Sequence, residues 1–225
     1  MKVSGGLAWR LALLVPLLAV GGNVRGQQAP EVEMSRGVEV GKSPVTISAT
    51  FVCGPLEKEY FFDQKTYGKV SGEAPIRINH PPFVLYTSVL NPGFFRLAAA
   101  LDALIAKDPT WKNSMVMVSD EKGAQFGGYK VEELAQRRTS VREMVLKNHL
   151  GHLNFFITAP PAKTLMPRLK LTGKQDMLLA ALDNRTTPKV EAAVLTVQRL
   201  ESDAITTSGA AKKAVDALVP RLGKP

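Results

Sequence analysis

Residues 83–105 constrain the fold more than any other stretch, because they read as a buried strand, a tight turn and an amphipathic helix in direct succession. Phe83, Val84, Leu85, Tyr86, Thr87, Ser88 and Val89 form a short apolar run of the kind that fills the middle of a sheet. Asn91-Pro92-Gly93 breaks that run. Asn91 stands where a helix is capped, and Pro92 takes the first helical position, where a missing N–H costs nothing. Phe94, Leu97, Ala98, Leu101, Leu104 and Ile105 follow at three- and four-residue spacing, giving a helix to about residue 107 one apolar face. A strand feeding a helix N-terminus is where many α/β proteins hold their chemistry. This turn carries no cysteine, histidine or acid. It offers Asn91, the backbone N–H groups beyond Pro92, and Phe94 and Phe95, which are groups for holding a ligand rather than transforming it.

The remaining elements follow from periodicity and breakers. Residues 45–53 alternate apolar and polar side chains, as an outer strand does, and Gly54-Pro55 turns the chain. Tyr60-Phe61-Phe62 reads as a second short strand, residues 67–73 as a loop, and Ile76-Arg77-Ile78 as a brief pairing stopped by Pro81-Pro82. Downstream come a strand at 115–118, a loop containing Gly123, Gly127 and Gly128, and a helix over 131–150 closed by Gly151. Its inner face carries Leu134, Val141, Met144 and Val145. A strand at 153–158 leads to an irregular basic segment, 162–175, with room for a short helix. Strands at 177–182 and 190–197 form a hairpin, and a last helix is capped by Thr207 or Ser208 and ended by Pro220. Helical crossovers make neighbouring strands parallel and a hairpin makes them antiparallel. The expected fold is therefore α/β, a mixed central sheet flanked by helices with an extra N-terminal β segment.

A 225-residue chain with 45% hydrophobic residues has material for one generous core. Residues 1–26 have the form of a secretory signal, with Lys2 and Arg10 before the apolar residues 11–20 and Val24-Arg25-Gly26 as the cleavage site. The alternative is a retained membrane anchor, for which the apolar run is short against the roughly 20 residues a span needs. No later stretch is apolar enough to cross a membrane. Residues 27–43 are polar and without period, and read as a flexible arm before a domain over 44–222. Three of the 29 cations lie in the leader, so the remainder holds 26 against 20 acids, near +6. That excess suits an anionic surface or an exported partner protein. Without an arginine-rich helix or aromatic–basic alternation, nucleic acid is not expected.

The order of elements resembles that of the thioredoxin-like superfamily. The run from Asp176 to Asp183, the turn after it, residues 189–198 and a lysine-containing terminal helix resemble the C-terminal half of thioredoxins. Gly54-Pro55-Leu56 and Tyr67-Gly68 resemble a segment of secreted bacterial thioredoxin-like proteins. The resemblance implies a Cys-x-x-Cys where the first core strand meets its helix, since the helix N-terminus stabilises a thiolate. Residues 88–93 contain no sulfur. Peroxiredoxins would place Thr-x-x-Cys there; Thr87 is followed by Leu90 at the cysteine position. Lys174, Gln175 and Asp176 occupy the place of the family's cis-proline, and Phe62 and Lys65 the place of a cysteine pair in secreted relatives.

One thiol remains, Cys53, which cannot form a disulfide within the chain. It reads either as a small half-buried strand residue or as a reactive thiol bridging to a partner. His149 and His152 have metal-like spacing, but Gly151 separates them and a zinc site would need further ligands; they read as exposed or capping residues. No phosphate-loop pattern accompanies the glycines at 123–128. Asp120-Glu121 and Glu132-Glu133 read as solvated caps. Asn184-Arg185-Thr186 matches a glycosylation acceptor. Lys163, Arg168, Lys170 and Lys174 stand in a stretch without acids, beside the 88–93 turn if the thioredoxin-like layout holds, and would suit an anion or acidic partner. The expectation is a secreted thioredoxin-like domain without redox chemistry, metal or cofactor, serving as a binding or structural module. The alternative is a thiol-redox protein using Cys53 with a partner thiol.

Overall fold

The computed structural model describes residues 38–41, 47, 49–57, 81–124, 128–183 and 194–219, all within one unit, Glu33–Pro225. The leader, most of the arm, the segments expected at 60–62 and 76–78, the Tyr67-Gly68 pair, His80, the glycosylation acceptor and Pro220 lie outside them. Six strands make one sheet: β1 (Ala49–Cys53), β2 (Phe83–Thr87), β3 (Met115–Val118), β4 (Asn154–Thr158), β5 (Met177–Leu182) and β6 (Val194–Leu200), in the order β1-β4-β3-β2-β5-β6. Among the described residues four α-helices accompany them: α1 (Pro92–Ile105), α2 (Val131–Lys147), α3 (Ala162–Arg168) and α4 (Ser208–Asp216). The pairs β2–β3 and β3–β4 are parallel, as their helical crossovers require, and β5 runs antiparallel to both β2 and β6. This is the expected α/β arrangement, a mixed sheet flanked by helices and consistent with a thioredoxin-like fold. The extra N-terminal segment is β1, which closes one edge antiparallel to β4.

Strand side chains alternate between two cores because the β period is two. Phe83 and Leu85 of β2, with Val116 and Val118 of β3, face α1, α2 and α4. Val84, Tyr86, Met115 and Met117 face α3 and the segment holding Val38 and Ile47. Covered on both sides, the central strands are apolar at nearly every position. α1 buries Phe94, Leu97, Ala98, Leu101 and Ile105 against the first core, as its spacing predicts. α2 buries only Val141 and Val145 fully, and Glu133 holds its first turn by accepting from the Lys130 N–H at 3.3 Å.

Two features differ from expectation. α2 ends before Gly151, because Asn148 caps the Met144 carbonyl at 2.8 Å and His149 takes the left-handed conformation (φ 55°) that usually falls to glycine. Within the described residues β6 runs Val194–Leu200, and only its first residue is buried; the expected start at 190 lies outside them. Residues 38–41, expected within a flexible arm, pack instead beside that edge strand. Val38 is 1% exposed, the Gly41 N–H donates to the Val194 carbonyl at 2.8 Å, and Glu39 pairs with Lys170. An edge strand with unpaired backbone groups gives a polar segment somewhere to hydrogen-bond, which composition does not reveal. Among the described residues no helix is long and apolar enough to cross a membrane.

The inward stripe of α1 should dominate stability. Leu97→Ala, at a fully buried position, is expected to cost about 3 kcal/mol, whereas Leu146→Ala on the exposed face of α2 should stay within about 0.5 kcal/mol. Chemical denaturation of the two variants checks this ordering.

Candidate functional site

The β2–α1 turn is shut by its own hydrogen bonds. The Thr87 hydroxyl donates to the Val89 carbonyl at 2.7 Å and accepts from the Val89 N–H at 3.1 Å, bending the chain out of the sheet. The Ser88 N–H and hydroxyl both reach the Asp176 carbonyl, at 3.1 and 3.3 Å. Asn91 caps α1 as expected, its Oδ1 accepting from the Phe94 N–H at 3.0 Å. Its Nδ2 donates to Ser202 Oγ at 2.6 Å, and Ser202 Oγ donates in turn to Asp176 Oδ2. The Ser202 N–H completes the ring to Asp176 Oδ1 at 2.8 Å. The turn at Ser202–Ala204 thus lies directly on the start of α1. A Cβ at Gly93 would stand 1.9 Å from the Ser202 carbonyl oxygen, so no side chain fits there.

At the helix start Pro92 is exposed and Asn91 half-buried, and both border the groove described below. Phe94 is fully buried in the core, and Asn91 has its amide committed to Ser202. Phe95 is half-buried, packs edge-on against Phe94 at 5.0 Å between ring centroids and lines a groove along the outer side of that helix. The groove encloses about 860 Å³ between the end of α2 and the start of α4. Its floor is Phe95, Ala99, Ala100, Ala103 and Leu104 of α1, with Met144 of α2 as one wall. Arg96, Lys107, Lys147 and Lys212 stand around the rim, with Asp216 the carboxylate, paired to Lys212.

The other sequence candidates do not converge on this place. α3 packs through Leu165 against the opposite core, so Lys163 and Arg168 belong to the other side of the sheet from the groove. Lys163, Lys170 and Lys174 are exposed, Arg168 is half-buried, and Lys170 pairs with Glu39. Only the end of the basic segment, at Asp176, meets the β2–α1 turn. Cys53 sits on β1, three strand spacings from β2, or about 14 Å. It is 6% exposed, and burial pushes its thiol up to about 11, outweighing the downward pull of Arg142 and Arg138. At pH 8 such a thiol is ionised in roughly one molecule in a thousand.

Two polar clusters escaped the sequence. Asp120, read there as a solvated cap, is 8% exposed at the end of β3. It accepts Arg137 NH2 and Nε at 2.6 and 2.7 Å and the Tyr129 hydroxyl at 3.0 Å. Burial, then Asp120, pushes the Tyr129 phenol up to about 12. Asp102 of α1 accepts the His152 N–H at 2.7 Å and lies 3.0 Å from His152 Nδ1, tying α1 to the start of β4. His149 and His152 therefore serve different elements. Among the described residues no group of three or more His, Cys, Asp or Glu is placed to hold a metal ion. Gly123 belongs to a packed turn, since a Cβ there would lie 2.3 Å from the Ala159 carbonyl.

No protein-family model and no curated protein matches the chain. Among solved structures it is similar to a thioredoxin-like protein determined in solution in its oxidized form, at 11% identity over 68% of this chain and 86% of that one, with a TM-score of 0.40. It is also similar to the bacterioferritin comigratory protein of Xanthomonas campestris, whose structure was described with its alkyl peroxide reduction activity. That match has 10% identity over 83% and 98% of the two chains and a TM-score of 0.44. A third is peroxidoxin BcpB of Mycobacterium tuberculosis, at 10% identity, 79% and 98% coverage, and a TM-score of 0.39.

Gly93→Ala should test the closure of the turn. On helix propensity alone the change would gain about 1 kcal/mol; against the Ser202 carbonyl it is expected to lose about 3 kcal/mol, read as a fall in Tm. Cys53 supplies a pH test. The folded protein keeps the thiol protonated to about 11, while the unfolded chain ionises at the ordinary value of 9.0. Its contribution is complete below the lower value and is lost as pH rises to the higher one. Stability measured from pH 8 to 11 should fall less steeply in Cys53→Ala than in the native chain.

Proposed function

We propose that this chain is an exported thioredoxin-like domain without redox chemistry of its own, acting as a binding module through the outer side of α1. The observation that carries this function is the sealed β2–α1 turn. Where a dithiol of such a fold would need an open helix start, Ser202 lies against Gly93 and Asn91 spends its amide on Ser202. The Asn91 cap also takes the Phe94 N–H, so the side-chain and backbone groups a thiolate would draw on here are committed to the fold. The apolar groove beside the turn has the concave, largely apolar character of a binding site. Export is supported by the leader: Lys2 and Arg10, the apolar residues 11–20 and the small-residue site at 24–26. An exported protein or an anionic surface is the partner class that the net positive charge favours.

A second function has one observation in its favour. Arg142 and Arg138 both pull the Cys53 thiol toward its ionised form, as they would in a protein that exchanges this thiol with a partner's. Burial works against them and is the larger effect. The two functions separate in a thiol titration followed by insulin-reduction and peroxide-consumption assays. The native protein is expected to react with a thiol reagent only on unfolding and to show no turnover above background. Turnover that disappears in Cys53→Ala would overturn the binding function and establish the second.

A further inference from the structure

We propose that the groove on α1 takes an amphipathic helix of a partner protein, with acidic residues flanking an apolar stripe; this rests on the binding function above. A surface helix ordinarily shows one apolar face and one polar face. α1 does not. Of its 14 residues, Arg96 and Asp102 are the charged ones, and Asp102 is 7% exposed and turned to His152. The outward side is thus Phe95, Ala99, Ala100, Ala103 and Leu104, an apolar stripe at helical spacing left partly open as the groove, with Phe95, Ala100 and Leu104 half-buried against the core. Ala99 and Ala103 are exposed and one turn apart, so the backbone of a docked helix could approach closely, as helices do over small residues.

Charge and its distribution choose among occupants. Four cations and one carboxylate stand at the rim, so an acidic partner is complementary. A second copy of this chain would bring the same four cations against them. A single anionic headgroup on an acyl chain would call for cations gathered at one end. Here Arg96 and Lys107 are eleven residues apart, roughly 16 Å along the helix axis at 1.5 Å per residue. Spread charges of this kind match several carboxylates on successive turns, and helix-in-groove recognition reads anchors at i, i+3, i+4 and i+7 in the same way.

The test uses a fluorescein-labelled 14-residue helical peptide, the length of α1, with leucines at its third, sixth, seventh and tenth positions and glutamates on their flanks. A twin peptide carries lysine in place of glutamate. Anisotropy with the full chain should show binding of the acidic peptide that weakens with salt, and none of the basic one. Ala103→Trp, at an exposed position, should fill the floor and weaken binding at least about tenfold, and Lys107→Glu combined with Lys147→Glu should do the same. Circular dichroism of both variants should match the native chain, confirming that they remain folded. No binding of the acidic peptide, equal binding of its twin, or indifference to both variants would overturn the proposal. So would binding to phosphatidylglycerol vesicles that the variants abolish while the peptide stays unbound, which would assign the groove to a membrane surface. Failure of the peptide with silent redox assays removes the groove's occupant and leaves the absence of redox chemistry intact. Turnover dependent on Cys53 removes the latter whatever the peptide does.

Discussion

The hydroxyl of Ser202 receives the Asn91 amide and gives its own proton to Asp176, and three separate pieces of chain meet through that one oxygen. Asn91 belongs to the start of α1, Asp176 to the entry of β5, and Ser202 to the turn between β6 and α4. Ser202 is fully buried, so its hydroxyl would be costly without these two partners. The cap on α1, the register at which the β5–β6 hairpin meets β2, and the approach of α4 to α1 are therefore coupled. Gly93 is part of the same constraint, because the close approach of the Ser202 carbonyl leaves no space for a Cβ.

A consequence of this closure is that the turn borders the open surface through Leu90, Asn91 and Pro92 while its hydrogen-bonding groups are committed to the fold. The turn that would hold a nucleophile is occupied by structural hydrogen bonds. The accessible feature lies along the flank of the helix that follows, where Phe95 and the alanines face outward. The single thiol is on a different strand, and its burial keeps it protonated. Polar groups at the carboxyl end of the sheet are likewise spent on architecture, with Asp120 joining β3 to α2 through Arg137 and holding the loop through Tyr129.

Much of the fold was legible in the residues. The strands at Met115–Val118 and Met177–Leu182 were read to the residue, because short apolar runs bounded by breakers have few other homes. Asn91 as a cap and the inward stripe of α1 were legible for the same local reasons. The site was not. Asp120 looks like a loop acid until Arg137, seventeen positions on, is folded back on it. Gly151 looks like a helix stop until Asn148 and His149 end α2 first. Phe94 and Phe95 are neighbours of identical type, yet one is core and the other lines the groove, since a 100° step around the helix separates them.

By itself the sequence determined the central strands and helices, the parallel crossover relations, the antiparallel β5–β6 pair and the absence of a dithiol at the β2–α1 turn. All of these depend on local periodicity, connection length and residue identity. Tertiary structure alone decided that the turn is covered by Ser202, that residues 38–41 pack beside the edge strand β6, and that the outer side of α1 is left open between α2 and α4. Those outcomes depend on contacts across 111 positions for Asn91 and Ser202, and on which helix faces remain after the core is filled. No local pattern carries that information, because it resides in the packing of surfaces that are distant along the chain.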